Sequence, residues 1–146
     1  MENKILNLKN ILLKQKTEGK LQAIERSGKL LIDNGYVKEN YIDGMKAREE
    51  VVSTYLGNGV AIPHAINEYK KEILKTGIVI LQYPEGVDFG DGNIAYILIG
   101  IAGNDDEHME ILSKIAIVVS EEENVDRLRR ANTKEEIVSI LEEGEF

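Results

Sequence analysis

Two histidines are the residues of this chain best suited to nucleophilic chemistry near neutral pH, and there is no cysteine to share that role. His64 closes the run Gly59-Val-Ala-Ile-Pro-His64, at the end of a short apolar strand. The proline before it stiffens the backbone, and Gly57 and Gly59 permit a tight turn and close approach by a partner. Neutral imidazole has a reference pKa of about 6.5, so its lone pair is available at pH 7. His108 ends Asn104-Asp-Asp-Glu-His108, where an apolar helical stripe begins, which places it in the first turn of a helix. Free backbone amides and the positive dipole end favour an anionic group there. The same two rings have plainer readings, as a hydrogen-bonded strand-end histidine and a solvated helix-start residue.

Other chemistry is less well supplied. The acidic runs Asp105-Asp-Glu107 and Glu121-Glu-Glu123 match no metal-ligand spacing, so no metal is expected and they read as solvated helix ends. Gly100-Ile-Ala-Gly103 lacks the Gly-Lys-Ser/Thr continuation of a phosphate loop. The net charge of 18 − 26 = −8 argues against a nucleic-acid partner, because phosphate backbones need basic surface. The amino-terminal Met-Glu-Asn-Lys has no signal-peptide pattern, and no apolar run reaches membrane-spanning length. A cytoplasmic protein with no direct membrane insertion is expected.

The elements that must position these rings can be read from periodicity. The 146 residues suit one domain, 1–146, with 42% hydrophobic and 30% charged residues. After Thr17, a candidate N-cap, Leu21, Ile24, Leu31 and Ile32 keep a helical period that Gly35 can close. A second helix over about 39–50 turns Tyr41, Ile42 and Met45 inward. Val60-Ala-Ile62 reads as a short strand, and both prolines, Pro63 and Pro84, are expected to interrupt strands. Residues 77–82 and 94–101 are near-continuous apolar runs, the mark of strands covered on both faces. Met109, Leu112, Ile115, Ala116 and Val119 form a helical stripe, and two more helices follow over 124–130 and 133–142. Thr133 and Glu136 have capping-box spacing. Helices alternating with buried strands give an α/β layered sandwich, a mixed and mostly buried sheet with helices on both sides.

Arg48, Thr54-Tyr-Leu-Gly57, Gly59 and Ala61-Ile-Pro-His64 together resemble the phosphohistidine segment of the mannitol/fructose class of EIIA proteins of the phosphotransferase system. Thr54-Tyr55 followed by Gly57-Asn-Gly59 looks closer to mannitol-type than to fructose-type members. The resemblance extends through Asn34-Gly-Tyr-Val37, Gln82-Tyr-Pro-Glu-Gly-Val87, Ile99-Gly-Ile101 and Glu107-His108. It implies a phosphotransferase in which His64 accepts a phosphoryl group from HPr and passes it to a cysteine of a separate EIIB of a mannitol-type permease. It implies that His108 assists by hydrogen bonding and that the Arg48 guanidinium lies beside the phosphohistidine. No dissociable cofactor is implied. Two rivals stay open: a regulatory, nitrogen-type EIIA-like phosphodomain that feeds no transporter, and a binding module with structural histidines. Around His64 a small apolar rim of Gly57, Gly59, Ala61, Ala65 and Ile66 is expected to receive the partner.

Overall fold

Strands β4 (Gly77–Asp88) and β5 (Ile94–Ala102) form the centre of the sheet because both of their faces are covered. The computed structural model describes residues 5–144. Short strands β1 (Ile11–Leu12), β2 (Tyr55–Gly57) and β3 (Val60–Ala61) complete five strands in the order β1-β4-β5-β3-β2. The pairs β1/β4 and β3/β5 are parallel, whereas β4/β5 and β2/β3 are antiparallel, so the sheet is mixed as expected.

Side chains alternate along the pleat, so the apolar runs feed two cores. Ile78, Ile80, Ile97, Ile99 and Ile101 face α3 (Asp105–Val119), α4 (Glu122–Arg130) and α5 (Lys134–Leu141). Val79, Leu81, Tyr83 and Leu98 face the opposite way, toward α1 (Lys20–Asp33) and α2 (Tyr41–Val51). The Thr133 hydroxyl accepts from the Glu136 amide at 3.1 Å, so the capping-box reading of the last helix holds at its start.

Several local expectations need correction. Helix α1 starts at an N-cap Gly19, with the Gln22 side chain accepting from the Gly19 amide at 2.9 Å. The Thr17 hydroxyl instead donates to the Gly86 carbonyl and ties the loop to β4. Leu21 is 49% exposed and belongs to the outer face of α1. Pro84 does not end its strand. It lies inside β4, where the register with β5 shifts between Gln82 and Val87, so its missing amide breaks no ladder bond. The buried stripe of α3 is Ile111, Ile115, Val118 and Val119, while Met109 is 63% exposed and Ala116 is also exposed. Strands β1 and β2 were not expected at all.

The β2–β3 connection turns through Gly57, Asn58 and Gly59, all at positive φ (132°, 52° and 87°). Asn58 tolerates this region and uses its amide to donate to the Val119 carbonyl at 3.0 Å. The hairpin is thereby fixed to the carboxyl end of α3.

Candidate functional site

His64 follows β3 and His108 follows β5, and these two strands are parallel neighbours. Loops leaving the carboxyl ends of adjacent parallel strands open onto the same edge of the sheet, the usual location of α/β ligand sites. The two rings meet there edge to face, with centroids 4.8 Å apart and planes at 78°. They line a depression of about 500 Å³ together with Arg48, Lys70, Ala65, Ile66 and Met109. The three sequence candidates, His64, His108 and Arg48, are thus brought into one place.

The backbone around His64 is held on every side. The Ile62 amide donates to Thr54 O at 3.0 Å, the Ile101 amide to Pro63 O at 2.9 Å, and the Ile66 amide to Gly44 O at 3.2 Å. The His64 ring itself is half-buried, with Nδ1 at 2.7 Å from the Ile62 carbonyl oxygen. A carbonyl can only accept, so Nδ1 carries the proton and Nε2 keeps its lone pair. Burial holds the His64 pKa below its ordinary value, and the positive charge of Arg48 adds to that effect. The Ile62 hydrogen bond and the Glu49 charge oppose it. The ring is neutral at pH 7 with its nucleophilic nitrogen defined.

Gly103 precedes α3, and a Cβ there would press on the His108 backbone at 3.3 to 3.4 Å. The His108 amide donates to Asn104 O at 2.7 Å, so it opens the helical ladder and is not a free donor. Burial is the main cause that pushes the His108 pKa down to about 4, with His64, Lys70 and Arg48 adding to it. His108 therefore offers a hydrogen bond at neutral pH and no charge. Arg48 lies at the end of α2, where one guanidinium nitrogen donates to Val52 O at 2.5 Å.

The depressed pKa values make the fold sensitive to acid. An unfolded histidine binds its proton near pH 6.5, whereas these two rings in the folded state bind only at lower pH. The unfolded state thus takes up more protons as pH falls, and stability drops from about pH 6.5 toward 4. Denaturant midpoints measured from pH 7.5 to 4.5 should decline over that window, and His108→Gln should flatten the slope. An equal slope in that variant would rule out this origin.

Sequence reasoning missed Tyr41 as a site residue, because its place on an apolar helix face marked it only as core. Its hydroxyl donates to Ile101 O at 2.7 Å and accepts from the Ala65 amide at 3.3 Å, bridging the end of β5 to the residue after His64. Lys70, which adds a cation to the depression, was also missed, since it comes from a segment with no motif of its own. The expected rim is only partly present. Ala65 and Ile66 line the depression, but Ala61 is fully buried, and the missing Cβ of Gly59 makes room for the Tyr96 ring. Tyr41→Phe leaves a buried carbonyl and amide without their partner and should cost about 1–3 kcal/mol. Chemical denaturation gives the number, and an unchanged midpoint would remove Tyr41 from this role.

A larger cleft of about 1000 Å³ lies on the β1–β4 side, lined by Lys14, Lys16, Arg129 and Arg130 among others. It contains no histidine, and its arginines are engaged: Arg129 donates to Pro84 O at 2.8 Å and Arg130 pairs with Asp126 at 2.6 Å. The smaller depression holds both histidines and is the candidate site. No helix among the described residues is long and apolar enough to cross a membrane.

Comparison with known proteins places the chain in a family. The family model for the phosphoenolpyruvate-dependent sugar phosphotransferase system, EIIA 2, matches residues 4–144. The mannitol-specific phosphotransferase enzyme IIA component of Geobacillus stearothermophilus is 54% identical over 98% of this chain and 99% of its own length. Its counterpart in Bacillus subtilis is 50% identical over 95% and 97%. The crystal structure of IIA mannitol from Escherichia coli superposes with a TM-score of 0.88 at 38% identity, covering 93% of this chain and 98% of that one. A second Escherichia coli structure, a complex of enzyme IIA mannitol with phosphorylated enzyme IIB mannitol, also has a TM-score of 0.88, at 37% identity over 93% and 96%. With its mixed sheet, its two facing histidines and a family match over nearly its whole length, the chain belongs to the EIIA 2 family of phosphotransferases of the phosphoenolpyruvate-dependent sugar phosphotransferase system.

Proposed function

We propose that this chain works as one cytoplasmic domain, the EIIA of a mannitol phosphotransferase system, with His64 as its phosphorylated residue. The observation that carries the reading is the 2.7 Å contact of His64 Nδ1 with the Ile62 carbonyl, which leaves the Nε2 lone pair for attack. Nε2 attacks the phosphorus of phospho-HPr; the new N–P bond forms as the donor's own N–P bond breaks and its electron pair returns to the donor nitrogen, while the proton stays on Nδ1, hydrogen-bonded to the Ile62 carbonyl. An EIIB cysteine thiolate then attacks the same phosphorus from the opposite side. The N–P bond breaks, an S–P bond forms, and the electron pair returns to Nε2. Arg48 and His108 stabilise charge on the phosphoryl oxygens in both steps, since this transfer depends on positioning and electrostatics. The mannitol assignment draws on relatives 50% or more identical that are named for that sugar.

The test is incubation with Enzyme I, HPr and labelled phosphoenolpyruvate, phosphopeptide mapping, then addition of a mannitol-type EIIB. Label on His64 that moves to the EIIB cysteine supports the whole reading. Label that stays on this chain in the presence of EIIB points to a regulatory phosphodomain, and no uptake points to a binding module.

A further inference from the structure

Glu49 is the neighbour of Arg48 on α2, yet its side chain is directed elsewhere. It is 6% exposed, an unusual position for a carboxylate. Its Oε1 accepts from the Thr54 amide at 3.0 Å and from the Thr54 hydroxyl at 2.6 Å. Its Oε2 has no hydrogen-bond partner among the described residues, and the Lys20 ammonium approaches it only to 3.6 Å. A buried carboxylate with one oxygen unsatisfied is costly, and a glutamine or an apolar residue would relieve much of that cost. The cost calls for an explanation in what the carboxylate holds.

Thr54, gripped twice by Glu49, accepts the Ile62 amide on its own carbonyl at 3.0 Å. The Ile62 carbonyl in turn accepts from His64 Nδ1 at 2.7 Å. Three links therefore connect a buried anion to the imidazole: Glu49 to Thr54, Thr54 to Ile62, and Ile62 to His64. We propose that Glu49 is a positioning residue for phosphoryl transfer, fixing the orientation and tautomer of His64 through Thr54 and Ile62. This rests on His64 being the accepting residue.

The hydrogen-bond geometry carries this role. Losing the double grip on Thr54 frees the strand that supports the Ile62 carbonyl, and Nδ1–H is held only by that carbonyl. The charge of Glu49 acts in addition. His64 is faced by the cationic Arg48 from α2, and the depression it shares also holds Lys70, Glu68 and the neutral His108. The Glu49 carboxylate is the anion that offsets Arg48 at His64, raising the proton affinity that Arg48 lowers.

The test uses the intact chain as Glu49→Gln and Glu49→Ala. Glutamine keeps an acceptor for Thr54 and removes the charge; alanine removes both. Nitrogen chemical shifts of the His64 ring, followed through a pH titration, report tautomer and midpoint without any phosphoryl transfer. Both variants should titrate at lower pH than the parent. Only Glu49→Ala should lose the fixed Nδ1–H tautomer, and its acceptance from phospho-HPr should fall about a hundredfold, as for a misplaced reacting group. If Glu49→Ala does not fold, Glu49→Gln and Thr54→Val, which deletes the hydroxyl donor, still report the charge and the link separately. Unchanged ring shifts and midpoint in the folded variants, with only a lower melting temperature, would overturn the proposal. A parent protein that takes up no phosphate would instead count against the function proposed above and leave the ring titration readable.

Discussion

A His64→Ala protein given Enzyme I, HPr and phosphoenolpyruvate is expected to take up no phosphate at any HPr concentration. The reason is chemical, because deleting the ring removes the attacking lone pair, whereas deleting a charge-stabilising neighbour only raises the barrier. No cysteine can substitute, and the remaining histidine is poorly suited to do so. Burial holds the His108 pKa near 4, so its lone pair is weakly basic and a poor replacement for the attacking nitrogen of His64. The loss should be specific. Apart from its Nδ1 contact with Ile62, the His64 loop is held by Pro63, Ala65 and Ile66 through bonds that the substitution leaves in place. Far-UV circular dichroism and the denaturation midpoint should therefore stay near those of the parent. Label on the variant, or phosphate mapped to His108 in the parent, would refute the assignment.

What the sequence discloses follows from where each structural constraint is written. Strands β4 and β5 are legible because both faces are buried, which leaves continuous apolar runs such as Ile78-Val-Ile-Leu81. Strands β1 and β2 carry two and three residues, too few for any period to emerge from their polar surroundings. The α3 stripe was read only partly in phase: Ile115 and Val119 are buried, Leu112 packs against the core from the rim of the His64 depression, and Met109 lines that depression while staying exposed. Apolar residues at helical spacing look alike whether they face a core or a site. Pro84 misled for a related reason, since a bulge removes the need for its amide and leaves no mark in composition.

The site divides along the same line. His64 and Arg48 lie within one contiguous run, and His108 is the only other histidine, so these three could be named from the chain. Tyr41 and Glu49 could not. Each acts through hydrogen bonds to backbone that is distant in sequence or around a bend, Tyr41 to Ile101 and Ala65, and Glu49 to Thr54. A tyrosine on an apolar helix face reads as core, and a glutamate near a helix end reads as solvated. Only burial separates them from that default, and burial is a property of the fold.

Removing the second ring should give a graded result, unlike removal of the first. His108→Ala is expected to accept phosphate from HPr but to pass it to EIIB about a hundredfold more slowly, the usual effect of one lost donor at a transferring group. At pH 7 the free ring is neutral, with its pKa held near 4 chiefly by burial, so its help begins as a single N–H hydrogen bond. Phosphorylation of His64 changes that balance. A phosphoryl group with nearly two negative charges, set beside a ring whose centroid is 4.8 Å from that of His64, favours the protonated form of His108. The His108 midpoint should therefore rise on phosphorylation, and the ring should take up a proton as it tightens on the phosphoryl oxygens. Transfer of the group to EIIB returns that proton to solvent. Nitrogen-detected titration of His108 in the free and phosphorylated protein tests this directly. An unchanged His108 midpoint in the phosphorylated form, or a His108→Ala protein that transfers at the parental rate, would show that this ring takes no part in holding the group.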